Sequence, residues 1–380
     1  MRVPSRLTTA DKTEISLYPS TAKTARTRGL RQAARSCWLV IAALVSCVLV
    51  ATIIGFALHS VKPEIFLEPK KLYAAVADSR TNVLFFGTSR IEDGVVPQIF
   101  DDTFQKQNID DLHSYNVASP GRPVYEIFAE MQTLFYLRPK GNKFVFIEPD
   151  IANQYLILEP NTARAINYFN LEHAYWTLKL MDKADFRLFD PPLSTKRYLG
   201  SVIGAVLRHY FNIGLAWAKA EPSPDFSAAA RGFPDRNDHE YEVFLADGAY
   251  YSGLKRMMLR QPSPDRIPDT KLDFVLSLAT FVRQHGAVPI LIRSPQVSHW
   301  DLAADFVAKF AQRCAGKGPL LFDFGLPSES PALWDPQNRH NEDHLNAAGA
   351  AIFTRLIAER LAAAIKDNSI SRPLCQATDQ

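Results

Sequence analysis

The chain has 380 residues and a formal net charge of +3, a length that holds one large domain or two modest ones with ample core. That charge is unevenly spread: residues 1–58 hold eight Lys/Arg against Asp11 and Glu14, a balance of +6, which leaves −3 for the other 322 residues. A slightly acidic body with no basic stripe argues against nucleic acid as a partner.

Residues 1–36 are polar, Thr/Arg-rich and without period, so they read as a disordered cytoplasmic leader. From Cys37 to Leu58 run 22 uncharged, mostly apolar residues, which as a helix span about 33 Å, enough to cross a bilayer core. Arg26, Arg28, Arg31 and Arg35 precede the span. Positive charge stays in the cytoplasm, so the body should lie beyond the membrane: a single-pass protein of the inner (cytoplasmic) membrane with a periplasmic C-terminal domain. A cleaved signal peptide is the rival reading, but its apolar region is normally only about 7–15 residues long and ends in a small-residue cleavage site. Of four cysteines, Cys37 and Cys47 lie in the span. Cys314 and Cys375 would face an oxidising compartment, where a bridge tying the C-terminal tail to the helix near Ala311 can form.

Residues 59–80, with Pro63 and Pro69 and a short helical run near Leu72–Val76, read as a stalk. Strand-like and helix-like segments then alternate. Val83–Phe86 is an apolar run of the kind a buried parallel strand makes, and Val95–Phe104 has helical character. His113–Val117 reads as a strand, Val124–Leu137 as a helix ending before Pro139, and Lys143–Ile147 as a clearer strand. After a long interruption come a helix at Lys271–His285, a strand at Val288–Ile292, a helix at Leu302–Cys314, a strand within Pro319–Phe324, and an Ala-rich helix over Asn346–Ile365 with Asn346 as its N-cap. This alternation predicts an α/β fold, a mainly parallel sheet covered by helices on both faces, formed by residues 81–153 and 269–366. Residues 367–380 are a tail.

The interruption, residues 154–268, lacks that periodicity. It is aromatic and helix-prone (Tyr168, Phe169, Tyr175, Trp176, Tyr198, Tyr210, Phe211), then Pro-rich around Pro222, Pro224 and Pro234. Two readings stand: a helical subdomain whose aromatics are core, or a cap over the carboxyl end of the sheet that shapes a cleft.

Ligands of open α/β sheets bind beyond the carboxyl ends of the strands, and Gly87-Thr88-Ser89-Arg90 leaves the first strand there. Ser89 is therefore a candidate nucleophile, with helix capping as its bland alternative. The segment Arg339–Gly349, between the last strand and the last helix, lies at the same edge and carries His344. A serine is unreactive at neutral pH until a base within hydrogen-bond reach takes its proton, and the base needs a third group to fix its tautomer.

With these blocks the sequence resembles the SGNH (GDSL-like) hydrolase superfamily. The matching residues are Gly87-Thr88-Ser89-Arg90, then Tyr115-Asn116-Val117-Ala118-Ser119-Pro120-Gly121, then His344-Leu345-Asn346-Ala347-Ala348-Gly349, over roughly residues 80–365. It is most similar to the membrane-anchored branch associated with O-acylation of exported polysaccharides, including the alginate O-acetylation proteins. The resemblance implies a flavodoxin-like three-layer α/β/α fold, Ser89 as nucleophile, His344 as base, and a multi-spanning O-acyltransferase partner that delivers acyl groups across the membrane. It also marks departures. The family usually has Asp three residues before the His, and here that residue is Asn341; Asp343 and Asp335 are alternative orienting groups. Where the family places a Gly-x-Asn oxyanion contributor this chain reads Ile147-Glu148-Pro149-Asp150-Ile151-Ala152-Asn153, so Asn153 is a weak candidate. Oxyanion donors are otherwise sought in the backbone N–H of Ser89 and of a residue in Ala118–Gly121, Ala118 and Gly121 among them; Pro120 has no N–H.

No ligand spacing announces a metal and no Gly-rich loop a phosphate, so neither metal nor cofactor is expected. The leading expectation is a membrane-anchored extracytoplasmic serine O-acetyltransferase or esterase acting on an exported polysaccharide. Its rival is a non-catalytic polysaccharide-binding or assembly component on the same scaffold, and a lipid esterase at the bilayer surface is a third reading.

Overall fold

The computed structural model describes residues 32–50, 53, 68–109, 111–122, 124–149, 169–180, 194–211, 231, 233, 248–298 and 300–375. The chain divides into two compact units, residues 1–52 and 53–380. In the first, helix α1 (Gln32–Val50) is 19 residues long, apolar enough to cross a bilayer, and exposed along its whole length. It begins before the expected Cys37, and residues 51, 52 and 54–58 of the expected span lie outside the described residues.

The second unit is built on five parallel strands, β1 (Val83–Phe86), β2 (Ser114–Asn116), β3 (Phe144–Ile147), β4 (Val288–Arg293) and β5 (Leu320–Asp323), in the order β2-β1-β3-β4-β5. Successive side chains point to opposite faces, and both faces are apolar because both are covered. On one face Leu84, Phe86, Val145, Ile147 and Leu291 pack against residues of α2 (Glu68–Ala77), α5 (Val124–Leu137) and α9 (Asp269–Gln284). On the other, Val83, Phe85, Phe146, Ile290 and Ile292 meet α3 (Ser89–Gly94), α4 (Pro97–Gln105) and α11 (Ala347–Lys366). Phe85 stacks on Phe146 at 4.5 Å between ring centroids and takes the edge of Phe100 at 5.2 Å. Each such aromatic pair adds about 0.5–1.5 kcal/mol beyond area burial.

The helix expected at Val95–Phe104 starts at Pro97 instead, as α4, and a separate short helix, α3, precedes it. Val95 and Val96 are extended and Pro97 starts α4, because proline lacks an N–H and disfavours helical backbone in the residue before it. Asn346 caps α11 as expected, accepting from the Gly349 N–H at 3.0 Å. Gly349 allows the approach of Asn338: a Cβ there would collide with the Asn338 carbonyl.

Within the insertion, α6 (Leu171–Leu180) packs on α5 and α9, and α7 (Thr195–Phe211) packs on α6, where the Tyr198 hydroxyl donates to the Thr177 carbonyl at 3.1 Å. These helices extend the helical layer; Phe169 and Tyr198 are core, whereas Tyr175 and Tyr210 are exposed. Arg231 closes the outer edge of the sheet. Its carbonyl accepts from the Asn116 N–H of β2 at 3.0 Å, and its guanidinium pairs with Asp101 and reaches Gln98 at 2.9 Å. Helix α8 (Ala249–Leu259) ends the insertion. Tyr168, Pro63, Pro222, Pro224 and Pro234 lie outside the described residues. Helix α10 (Trp300–Cys314) precedes β5, and its last residue, Cys314, is disulfide-bonded to Cys375 in the tail.

Candidate active site

In this strand order the chain leaves β1 toward one side of the sheet and β3 toward the other, so the crevice opens beyond the carboxyl ends of β1 and β3. Ser89 follows β1 directly as the first residue of α3, with Thr88 as N-cap. Gly87 makes the turn tight: a Cβ there would stand 2.5 Å from Ile91 Cγ1 and 3.0 Å from Glu148 Cβ.

Glu148, one residue past β3, holds this turn. Its Oε2 accepts from the Thr88 N–H at 2.8 Å and the Thr88 hydroxyl at 2.7 Å; its Oε1 accepts from Arg90 Nε at 2.9 Å and the Ser294 hydroxyl at 2.8 Å. Burial pushes the Glu148 carboxyl up, but the Arg90 guanidinium and the Thr88 donors outweigh it and hold the group below the ordinary carboxylate range. With the Thr88 N–H on Glu148 and the Arg90 N–H on the Thr88 hydroxyl at 3.4 Å, the Ser89 N–H has no acceptor among the described residues. It remains an aimed donor at a helix start, where the first N–H groups lack intrahelical partners.

His344 arrives from the far end of the sequence. Its Nε2 lies 2.7 Å from Ser89 Oγ, across 255 positions of chain. Its Nδ1 lies 2.9 Å from Asn341 Oδ1. The direction of both bonds follows from the backbone. Asn341 Oδ1 also accepts from the N–H groups of Asp343 at 2.9 Å and His344 at 3.0 Å, and a backbone N–H can only donate, so that atom is the amide oxygen. Nδ1 therefore carries the proton, Nε2 presents its lone pair, and the Ser89 hydroxyl donates to it.

The loop bearing His344 is held by Arg339, whose side chain is fully buried. Its Nη1 donates to the Leu333 carbonyl at 2.9 Å, its Nη2 to the carbonyls of Glu342 at 2.6 Å and Pro295 at 3.1 Å, and its Nε to the Asn341 carbonyl at 3.2 Å. The rings of Trp334 and Tyr250 lie 5.2 and 5.7 Å from the guanidinium carbon. Burial lowers the Arg339 pKa, while the negative charges of Asp343 and Glu342 act in the opposite direction. The Tyr250 hydroxyl, from α8, donates to the Trp334 carbonyl at 2.5 Å. It is thus the last helix of the insertion that reaches the His344 loop.

Two expectations are corrected. Asp343 does not orient His344: its Oδ1 accepts from the N–H groups of Val297 at 3.0 Å and Ser298 at 2.7 Å, and so pins the loop after β4. Ala118 offers no oxyanion donor, because its N–H is given to Asn116 Oδ1 at 3.1 Å and its carbonyl accepts from Lys71 Nζ at 2.8 Å. The Ser119 N–H goes to the Gly87 carbonyl at 3.2 Å, which leaves Gly121, at φ +58, as the donor of that loop without an acceptor among the described residues. Asp335 caps a short turn through the Gln337 N–H at 3.0 Å. Asp150 and Asn153 lie outside the described residues.

The sequence alone gave no role to three residues at this site. Lys71 of α2 joins two of its walls, since Nζ bonds Glu92 of α3 at 2.7 Å as well as Ala118. Glu148 could have been suspected as the acidic residue that closes a wholly apolar strand. For Arg339 and Lys71 no sequence signal distinguished a buried cation from a solvated one. Among the described residues no group of three or more His, Cys, Asp or Glu is placed to hold a metal. No protein-family model matches the chain, and no curated protein matches it.

Proposed function

We propose that the chain is a membrane-anchored, extracytoplasmic serine acyl-transfer enzyme of the SGNH type, an O-acetyltransferase or esterase acting on an exported polysaccharide. The observation that carries this reading is the relay Ser89 Oγ, His344 Nε2, His344 Nδ1, Asn341 Oδ1, whose bond directions leave a lone pair facing the serine proton. Ser89 Oγ attacks the acyl carbonyl as its proton passes to Nε2, and the Ser89 N–H faces the developing oxyanion. The carbon–oxygen bond to the leaving group breaks, the leaving oxygen takes the proton from Nε2, and an acyl-serine remains. A sugar hydroxyl (transferase) or water (esterase) then attacks it, gives its proton to His344, and restores the Ser89 hydroxyl. The anchor reading draws on α1, on the arginines that precede it, and on the Cys314–Cys375 bond, which suits an oxidising compartment. The resemblance adds a multi-spanning O-acyltransferase as the proposed partner that delivers acyl groups.

The neutral Asn341 in the orienting position favours a second reading, a polysaccharide-binding or assembly component on the same scaffold. Hydrolysis of p-nitrophenyl acetate by the full chain in detergent separates the two. Activity in the native protein that Ser89→Ala abolishes supports the enzyme; activity that survives Ser89→Ala, or none with several acyl esters, supports the binding role.

A further inference from the structure

A helix in a soluble domain needs one apolar face, and α7 has two. Tyr198, Val202 and Ala205 form the buried one. On the other side Leu199, Ile203, Leu207 and Tyr210, spaced at four, four and three residues, remain 45, 52, 46 and 46% exposed. Soluble monomers seldom leave such contiguous apolar stripes in water. The remaining side chains of α7 include Lys196, Arg197 and Arg208, and the helix contains no acidic residue, although residues 59–380 as a whole carry net negative charge. Helix α6, against which α7 packs, leaves Leu171, Tyr175 and Leu178 exposed in the same fashion.

We propose that α7 is an interfacial helix that lies on an anionic lipid surface. Aliphatic residues along one stripe, a tyrosine at its end, Lys196 beside it and further cations on the same helix are the composition that seats a helix at the boundary of headgroups and acyl chains. The basic residues supply attraction that a neutral surface would not return. A second copy of the chain is a poorer occupant, since two such helices would oppose like charges. A sugar chain is poorer still, because three of the four stripe residues are aliphatic and carry no group to meet its hydroxyls. This inference goes beyond the acyl-transfer reading and does not depend on it.

The test uses the full chain with Cys37 and Cys47 changed to Ser, Ile203→Cys labelled with an environment-sensitive nitrobenzoxadiazole, and Lys106→Cys as the control position. The protein is reconstituted at no more than one copy per vesicle, into phosphatidylcholine with or without phosphatidylglycerol, and flotation reports separately whether α1 inserts. The expected result is blue-shifted emission at position 203, quenched by nitroxide-bearing lipids and more strongly when phosphatidylglycerol is present, with position 106 remaining in water. Reversing Lys196, Arg197 and Arg208 to Glu should weaken the lipid-bound state by roughly fivefold or more per residue. Water-like emission at 203 in anionic vesicles overturns the proposal, whether or not the chain floats. So does a blue shift that lipid nitroxides do not quench, which means that protein covers the stripe. Equal quenching in neutral and anionic vesicles overturns the anionic preference.

Discussion

The two halves of the candidate site are held by opposite devices. At Ser89 the chain enters a helix, where backbone N–H groups outnumber carbonyls, and the residue that organises the turn is an anion, Glu148, with four donors around it. At His344 the chain runs through an irregular loop, and the organiser is a cation, Arg339, that gives hydrogen bonds to two carbonyls of that loop (Asn341 and Glu342) and to two of its neighbours (Leu333 and Pro295). Each buried charge is matched to what the local backbone leaves unsatisfied. Ser89 and His344 meet at 2.7 Å because two separately braced pieces of backbone hold them, and no bond runs directly from Glu148 to Arg339.

Removing the anion should do the most damage. Glu148→Ala removes the carboxylate that accepts from the part-buried Arg90 Nε and takes the acceptor from two Thr88 donors. Breaking a buried pair from one side costs about 3–5 kcal/mol. Urea unfolding should register that loss, and reaction of Ser89 with a fluorophosphonate should slow by roughly a hundredfold, as a nucleophile displaced by about 1 Å would. Normal labelling in a protein that has lost stability would separate the Glu148 brace from the geometry of Ser89.

Removing the cation should cost less, because Arg339 has no carboxylate to leave stranded. Arg339→Met exposes four carbonyls to an apolar surrounding, and with partial relaxation the expected loss is about 2–4 kcal/mol. Arg339→Lys should not restore it, since an ammonium has three donors at one point and cannot reach carbonyls spread around a planar fork. In esterase assays kcat should fall with KM little changed, because the loop carries His344, the proposed base. A rise in KM alone would place Arg339 in substrate binding.

Much of this architecture was legible in the sequence. Short apolar runs closed by a nearby Gly or Pro located four of the strands, the less apolar His113–Val117 located β2 by its place in the alternation, and Asn346 and the Ala-rich run located α11. What was missed is tertiary. The later start of α4 was signalled by Pro97, but the apolar period runs on upstream through Val95 and Val96. Asp343 looked a natural partner for His344 because it is adjacent, yet adjacent side chains in a tight loop point apart, and the carboxylate found the Val297 and Ser298 amides. Asn341, three residues earlier, is folded back so that one oxygen serves His344 Nδ1 and two backbone N–H groups. Ala118 failed as a donor because the buried Asn116 side chain, whose orientation no pattern discloses, takes its N–H.

A smaller change sharpens the His344 half alone. Asn341→Asp keeps an oxygen where three N–H groups already point and adds the charge that supports an imidazolium. In a serine protease the reverse change costs about 10⁴ in turnover, partly through the wrong tautomer. Here the backbone already enforces the tautomer, so only the charge is gained and the expected rise in kcat is roughly tenfold. An unchanged or lower kcat would mean that proton transfer through His344 does not limit the rate.

The mildest perturbation is acid, and it should distinguish the halves without any mutation. The Glu148 carboxyl is held below its ordinary value of 4.5 in the folded chain, so the unfolded chain binds its proton first as pH falls. Its contribution to stability is therefore complete above about pH 4.5 and is lost as pH drops through the folded value, whereas Arg339 keeps its proton throughout this range. Between neutral pH and that region, urea midpoints of native and Glu148→Gln protein should run parallel. Below it the native curve should fall toward the variant, and Ser89 labelling in the native protein should fall with it. Parallel curves over the whole acid range would show that Glu148 is already protonated in the fold, and that the turn at Ser89 is braced by neutral hydrogen bonds alone.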